Sequence, residues 1–209
     1  MNTLVGIKST MNNYFTRSHF RNKTIKSFAS LQKEVIAFFN TKQLDICAKQ
    51  LSEIASQVAE KAMEMSIPGT TCPKRDKDPD CFIPHLTTEI LAPWEIKCTT
   101  GEEWRGGDFS KRPGFYVLIS WKYDKQQGDI KIFAARLHME EEDWIKSKPS
   151  KKSGSENYYA TSFNKKNLLK YVTAGKAEVL CGNIYHPKYK SGKVRTNQVK
   201  LEREKIIIE

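Results

Sequence analysis

The sequence predicts a mixed α/β domain with a central mixed sheet flanked by helices. Two amphipathic helical patterns before residue 70, a series of short β-branched and aromatic segments after it, and one later helical pattern predict this class. With 209 residues, of which 39% are hydrophobic, the chain can bury one sizeable core. We therefore expect a single domain over residues 1–209, with an N-terminal helical and basic segment at 1–40, the main core at 41–185 and a basic C-terminal segment at 186–209.

Apolar residues spaced three and four apart predict the two N-terminal helices. The first is expected at about Ser30–Phe39. The second, at about Thr41–Met65, should end before Pro68 and Gly69, since proline cannot continue a helix. The residues on its apolar face are Leu44, Cys47, Leu51, Ile54, Val58, Ala62 and Met65.

Clusters of β-branched and aromatic residues between turn residues predict the strands. The two strands on either side of the turn at residues 126–128 should form a hairpin. The predicted strands are Cys81–Leu86, Ile90–Cys98, Phe115–Tyr123, Ile130–Leu137 and Ala177–Tyr185.

The remaining segments are predicted from turn residues and helix caps. Thr99–Pro113, which is rich in glycine, is expected to lack regular structure. A helix is expected at Asn164–Val172, with Asn164 or Ser162 as its N-cap and Gly175 after its end.

Charge and cysteine content limit the kinds of partner and location. The formal net charge of +11, from 35 Lys and Arg against 24 Asp and Glu, favours a polyanionic partner. Five scattered cysteines without a CxxC pair are typical of reduced thiols in a cytosolic protein. The sequence has neither a run of eighteen apolar residues nor a secretory signal, so we expect a cytoplasmic protein without a membrane segment.

Two carboxylates and a lysine in the first two predicted strands are the candidate catalytic residues. Side chains two apart on a strand share a face, so Glu95 and Lys97 should point together while Trp94 and Ile96 point into the core. Asp80, on the neighbouring strand, should face that pair. Two carboxylates beside an ammonium can hold a hard divalent cation and a water, which is the equipment for hydrolysing a phosphodiester. We expect an exposed strand face here, so that replacing Lys97 leaves folding nearly intact.

The pattern Pro79, Asp80, Glu95 and Lys97 resembles the motif of the PD-(D/E)xK nuclease superfamily, and within it the type II restriction endonucleases. The order of predicted elements over about residues 45–185 also resembles the core of that family, which is a helix, three antiparallel strands, a crossover helix and a further strand. The resemblance implies a restriction-endonuclease-like core in which Asp80, Glu95 and the backbone carbonyl of Ile96 bind Mg²⁺. Lys97 would assist the attacking water and stabilise the developing charge.

In the resembling family a helix glutamate often completes the metal shell. Glu53, Glu60 and Glu64 lie on the second predicted helix, and Glu60 is the best single choice. By resemblance the enzyme would be a Mg²⁺-dependent homodimer that cuts double-stranded DNA at a short site, with a cognate DNA methyltransferase in the same system. Two other functions stay open: a repair or nicking nuclease of the same superfamily, and a non-enzymatic nucleic-acid-binding protein in which the motif is incidental.

Two internal alternatives to this site exist. Asp129 and Lys131 form a second acid-x-lysine triplet in a predicted strand, but no Pro-Asp pair precedes it. A zinc site of cysteines and a histidine is the other alternative, although no CxxC pair supports it. Its ligands would be Cys72, Cys81, His85 and Cys98.

Basic residues in the glycine-rich segment, on a strand and near the C-terminus are candidates for DNA contact. Glycine lets the backbone approach a phosphate, and arginine can bind guanine through two hydrogen bonds. The candidates are Arg105, Lys111, Arg112, Lys122, Lys188, Lys190, Lys193, Arg195 and Asn197. Each of His85, His138 and His186 is isolated from other catalytic residue types, and we expect them to be ordinary polar residues.

Overall fold

The computed structural model describes residues 10–45, 48–73, 78–101, 103–106, 113–124, 126–146 and 161–182. These residues form a five-stranded mixed sheet, a second sheet of three strands, and helices on both faces of the larger sheet. The predicted mixed α/β class, with a central mixed sheet flanked by helices, is therefore confirmed.

The described helices include the three that were predicted, with different ends, and a further short helix before them. They are α1 Arg17–His19, which continues through the π-helical turn Phe20–Thr24 into α2 Ile25–Thr41, then α3 Ala48–Ser66 and α4 Lys165–Thr173.

The boundaries follow from local backbone requirements. Gln43 has φ 51, a left-handed conformation that separates α2 from α3, so the predicted start of the second helix at Thr41 was wrong. Asn164 caps α4 as expected, because its side chain accepts a hydrogen bond from the Asn167 backbone N–H at 2.9 Å. Gly175, with φ 73, follows the end of that helix.

Eight strands are described. They are β1 Cys81–Pro84, β2 Leu91–Thr99, β3 Glu103–Arg105, β4 Gly114–Asp124, β5 Asp129–Met139, β6 Ile145–Lys146, β7 Thr161–Asn164 and β8 Ala177–Cys181. The large sheet has the order β1-β2-β4-β5-β8, and the small sheet has the order β3-β7-β6.

The β4–β5 hairpin forms as predicted, with Asp124 opposite Asp129 at its end. The segment expected to lack regular structure contains β3, which pairs with β7 in the small sheet, so that expectation was wrong. The resemblance also implied three consecutive antiparallel strands, whereas β2 and β4 run parallel. Parallel neighbours need a long connection rather than a tight turn, and β2 ends at Thr99 well before β4 begins at Gly114.

One hydrophobic core packs against each face of the large sheet. The helix-side core joins Trp94, Ile96 and Val117 to α3 through Ala55 and Ala59. The second core lies on the opposite face, between the large sheet, the small sheet and α4, and is built from Trp104, Tyr116, Leu118, Phe133, Trp144, Phe163 and Leu168 among others. Alternation along each strand decides which core a residue joins.

The N-terminal segment is fixed to the sheet by a buried arginine. Arg136 of β5 is fully buried, and its Nε and Nη2 atoms donate to the Glu178 carboxylate at 2.9 and 2.7 Å. Its Nη1 donates to the carbonyl of Met11 at 3.0 Å. The guanidinium therefore joins β5, β8 and the residues before α1.

A disulfide joins Cys72 to Cys81, with the two Cα atoms 4.2 Å apart. This corrects the expectation that all five cysteines are reduced thiols. Within the described ranges, Cys98 and Cys181 are free. None of the helices in the described part of the chain has the length and apolar character needed to cross a membrane.

Candidate active site

The three side chains of the predicted motif meet at one point. Lys97 Nζ lies 3.0 Å from Asp80 Oδ2 and 2.8 Å from Glu95 Oε2, so one ammonium bridges both carboxylates. Asp80 Oδ2 also accepts a hydrogen bond from the Ile96 backbone N–H at 2.6 Å. The predicted geometry of the cluster is confirmed, while the chemical roles of its members stay predictions.

Strand pairing explains why these residues meet. Cys81 pairs with Trp94, so Asp80, one residue before Cys81, lies beside the Glu95–Ile96 stretch of β2. Trp94 and Ile96 are buried in the helix-side core, and alternation turns Glu95 and Lys97 to the opposite face. The cluster therefore lies on the second-core side of the large sheet, beside its edge strand.

The site is more enclosed than an exposed strand face. The side chains of Glu95, Lys97 and Asp80 are 11%, 17% and 26% exposed. The expectation of an exposed face was wrong, because Tyr116 and Leu118 of the parallel strand β4 pack in register beside Glu95 and Lys97. Charge interactions are strong in such an environment because little water screens them.

Burial and neighbouring charges shift two pKa values in the cluster. Burial raises the pKa of Glu95, and the Asp80 carboxylate raises it further, against the opposing effect of Lys97. For Lys97, burial acts to lower the pKa, but the Asp80 and Glu95 carboxylates together hold it above its ordinary value. Lys97 is therefore a cation at neutral pH, and the two acids repel one another across it.

This donor set fits a hard divalent cation. Lys97 contacts one oxygen of each carboxylate, Asp80 Oδ2 and Glu95 Oε2. Two carboxylates and one ammonium leave a net negative charge that a cation would neutralise. Mg²⁺ binds through one or two carboxylates and keeps several of its waters, so a pair of acids suffices.

The backbone of Ile96 also faces this point. The N–H and the C=O of one residue point to the same side of a strand. The Ile96 N–H points at Asp80, so its carbonyl lies on the Asp80 side of β2 as well. Its role as a metal ligand stays a prediction.

Glu60 does not join the cluster. It lies on α3, which packs against the helix-side core, whereas Glu95 points from the opposite face of β2. Its charge contributes instead to raising the pKa of Cys98 to about 12, mainly the effect of burial. Within the described ranges, no group of three or more His, Cys, Asp or Glu residues could hold a metal ion. Glu60 therefore does not form a group with Asp80 and Glu95 in the described structure, and its role as a third metal ligand stays a prediction.

The competing acid-x-lysine triplet does not form a site. Asp129 pairs with Lys33 at 2.7 Å, while Lys131 pairs with Asp124 at 2.8 Å. The two members of the triplet thus have different partners, and Asp129 lies at the surface with 58% of its side chain exposed. The structure brings two acids and a lysine together at Asp80, Glu95 and Lys97 instead.

The zinc alternative is excluded by the disulfide, because Cys72 and Cys81 are bonded to each other. Two histidines are ordinary polar residues, as expected. His85 Nδ1 accepts a hydrogen bond from the Thr87 backbone N–H at 3.2 Å. His138 packs edge-on against a phenylalanine ring and pairs with Glu140 at 3.3 Å.

Two of the predicted DNA contacts lie within the described residues. Arg105 is exposed at the end of β3, which lies over the second core because Trp104 Nε1 donates to the Ile119 carbonyl at 2.9 Å. Lys122 is exposed on β4 and shares the face of Glu95 and Lys97. The other candidates lie outside the described residues, as does His186: Lys111, Arg112, Lys188, Lys190, Lys193, Arg195 and Asn197.

Tyr116 is a neighbour of the site that the sequence did not indicate. It lies on β4, where it is fully buried and pairs in register with Glu95 of β2. Burial raises the pKa of Tyr116 to about 12, and the Glu95 carboxylate adds to the effect. No local pattern could have found it, because the pairing of β2 with β4 is a tertiary feature.

Comparison with known proteins does not assign the chain to a family. No family model, curated protein or solved structure matches the chain. The functional argument therefore rests on the site itself.

Proposed function

We propose that this chain is a Mg²⁺-dependent endonuclease that hydrolyses phosphodiester bonds of double-stranded DNA at specific sites, as a type II restriction enzyme does. The observation that carries the proposal is the bridging of the Asp80 and Glu95 carboxylates by the Lys97 ammonium, at 3.0 and 2.8 Å. Asp80 comes from the residue before β1, and Glu95 and Lys97 come from β2, as the resemblance to PD-(D/E)xK nucleases requires.

Each residue has a defined task in this proposal. Asp80 and Glu95, with the carbonyl of Ile96, hold the metal ion. Once bound, Mg²⁺ supplies Lewis acidity and a water of lowered pKa. The hydrogen bond from the Ile96 N–H fixes the orientation of the Asp80 carboxylate before any ligand arrives.

Lys97 acts through its charge. Because the carboxylates hold its pKa above the ordinary value, Lys97 does not accept a proton at neutral pH while it bridges them. Its role is to place a positive charge beside the phosphate, where negative charge develops on the oxygens in the transition state. The enclosed position strengthens this effect because solvent screening is weak there.

The basic residues on the same side of the sheet support DNA as the substrate. Lys122 lies on β4, about 13 Å beyond the register neighbour of Lys97 at ~3.3 Å per residue. Arg105 lies on the small sheet that covers this face. Together with a formal charge of +11, these exposed residues are the candidates for phosphate contacts.

The finer assignments follow from the resemblance. A homodimer with two-fold symmetry would place one site on each DNA strand, and a cognate DNA methyltransferase would protect the host genome. Such an enzyme would act in the cytoplasm.

A plasmid digestion with added Mg²⁺ tests the function. Discrete fragments support a site-specific restriction enzyme, whereas nicks or a smear support a nicking nuclease of the same superfamily. No cutting by the intact full-length chain over a range of Mg²⁺ concentrations would refute nuclease activity. Glu95→Gln should abolish cutting, and Asp129→Asn is its matched control, because Asp129 is a strand acid outside the site.

A further inference from the structure

We propose that the Cys72–Cys81 disulfide is a redox-sensitive clamp that holds Asp80 in the candidate metal site, so that thiol–disulfide exchange at Cys72 controls metal binding. The link to metal rests on the proposed function. The effect of the disulfide on the position of Asp80 does not depend on the proposed function, because it follows from the connectivity of the chain.

The disulfide joins the two ends of the segment that carries Asp80, and these ends, Cys72 and Cys81, form its base. Thr71 and Phe82 exchange both backbone hydrogen bonds, at 3.1 Å from the Thr71 N–H and 2.8 Å from the Phe82 N–H. Cys72 and Cys81 therefore stand opposite each other at the next position of the same antiparallel ladder, where the covalent bond joins them. Asp80 is the residue directly before Cys81, so this base lies one residue from the candidate metal ligand.

Asp80 depends on this base for its position. Its carboxylate reaches the Ile96 N–H and Lys97 only while its backbone is held beside β2. The pairing of Cys81 with Trp94 supplies one constraint, and the disulfide supplies the second by tying β1 to the end of the segment that follows α3. Without the bond, the Thr71–Phe82 backbone pair still links the two segments, but no covalent bond ties Cys72 to the residue beside Asp80.

The two cysteines differ in exposure, which sets the direction of exchange. Cys72 is half-buried, whereas Cys81 is fully buried. The thiolate of a dithiol reductant attacks Cys72 Sγ and forms a mixed disulfide, while the electron pair of the broken S–S bond leaves on Cys81, which takes a proton. The second thiol of the reductant then attacks the mixed disulfide, which yields the Cys72 thiol and the oxidised reductant.

The remaining described thiols do not interfere. Neither free thiol of the described ranges lies on this ladder, because Cys98 belongs to β2 and donates to the Ala55 carbonyl, and Cys181 is buried on β8. Under the proposed function the protein acts on DNA in a reducing compartment. Disulfides there are uncommon, and those that occur are usually transient or redox-sensing.

Two measurements on the full-length chain test the clamp, each in the oxidised state and after reduction with dithiothreitol. The first is the hydrogen-exchange rate of the Ile96 amide without metal, since this amide donates to Asp80. We expect it to exchange at least about tenfold faster after reduction, while amides along β4 and β5 keep their rates. The second is the Mg²⁺ affinity, which should weaken about tenfold, the scale for losing a group that orients a metal ligand.

Cysteine variants provide the matched controls. Cys72→Ala should show the reduced-state values whether or not dithiothreitol is present, and Cys98→Ala should respond as the wild type does. Reduction of the wild type gives the same information if Cys72→Ala fails to fold. The clamp is refuted if the Ile96 exchange rate is the same in both redox states, or if Mg²⁺ binds equally tightly in both states.

The outcomes also separate the clamp from the nuclease. If Mg²⁺ binds in neither state while the Ile96 exchange rate responds to reduction, the proposed metal site fails, and the clamp on Asp80 stands without its link to metal. If Mg²⁺ binding and cleavage are present but indifferent to reduction, the nuclease stands and the clamp fails.

Discussion

Replacing Lys97 by methionine should tighten Mg²⁺ binding and nearly abolish cleavage. Methionine fills a similar volume and suits a mostly buried position, but it carries no charge. In the wild type the ammonium contacts the same two carboxylates that would bind the metal. Lys97 therefore competes with the metal for these acids while it assists the chemistry.

The distances set the scale of the effect. At an effective dielectric constant of about 20, opposite charges ~3 Å apart attract by roughly 5 kcal/mol before desolvation is subtracted. The three side chains are between 11% and 26% exposed, so little of this is lost to solvent screening. We expect K97M without metal to be less stable by about 3 kcal/mol, the lower end of the range for breaking a buried ion pair. Mg²⁺ affinity should rise at least about tenfold, and cleavage should fall at least ~10²-fold.

Urea denaturation with and without Mg²⁺, and cleavage at saturating Mg²⁺, measure these quantities. Mg²⁺ should stabilise K97M more than the wild type, because stabilisation grows with ligand concentration relative to the dissociation constant. Lys131→Met is the matched control: Lys131 is also a partly buried strand lysine in an ion pair, but its partner Asp124 lies outside the site. It should change neither Mg²⁺ affinity nor cleavage.

Two results would contradict this reasoning. Wild-type cleavage by K97M would show that the Lys97 charge does not stabilise the transition state. Mg²⁺ binding by K97M that is no tighter than that of the wild type would show that the metal does not bind at Asp80 and Glu95.

Four further predictions follow from the same structure. Because the folded pKa of Lys97 is raised, the stability advantage of the wild type over K97M should persist up to the ordinary lysine pKa of about 10.4 and disappear as the pH rises further, as urea denaturation at successive pH values can check. Mg²⁺ affinity, measured by titration, should fall as the pH drops through the raised pKa of Glu95, with a midpoint above the ordinary value of about 4.3; a midpoint below it would contradict the burial effect. Arg136→Met should cost about 3 kcal/mol in the free energy of unfolding, since it leaves Glu178 without its buried partner. Lys122→Ala should weaken binding equally to all duplexes and reduce the salt-dependence slope by about 0.9, whereas an unchanged slope would place this face away from DNA.

Short-range patterns in the sequence were enough to predict most helices, the long hairpin and the three residues of the motif. Alternation along β2 placed Glu95 and Lys97 together because adjacent side chains on a strand point to opposite faces. Placing Asp80 beside this pair required one further assumption, that the two apolar segments pair with each other. A short connection favours pairing between the two strands that it joins.

Features that depend on distant pairing were not predictable. β3 and β7 are short strands far apart in sequence, and β3 joins the small sheet through its pairing with β7. Helical periodicity could not place the helix glutamate relative to the site, because it shows which residues share a face of α3 but not which face of the sheet that helix covers. The disulfide was missed because the separation of Cys72 and Cys81 along the chain does not show that they meet across a ladder.

The sequence by itself determined the types of the main elements and the identity of the acid and lysine side chains, because propensity and alternation act over a few residues. Only the tertiary structure decided how deeply those side chains are buried, since that depends on Tyr116 and Leu118 of a parallel strand that lies beyond a long crossover. Burial in turn decides the pKa values of Glu95 and Lys97, and so the charge that a metal or a phosphate would meet. The chemistry of the site thus depends on contacts that no local segment encodes.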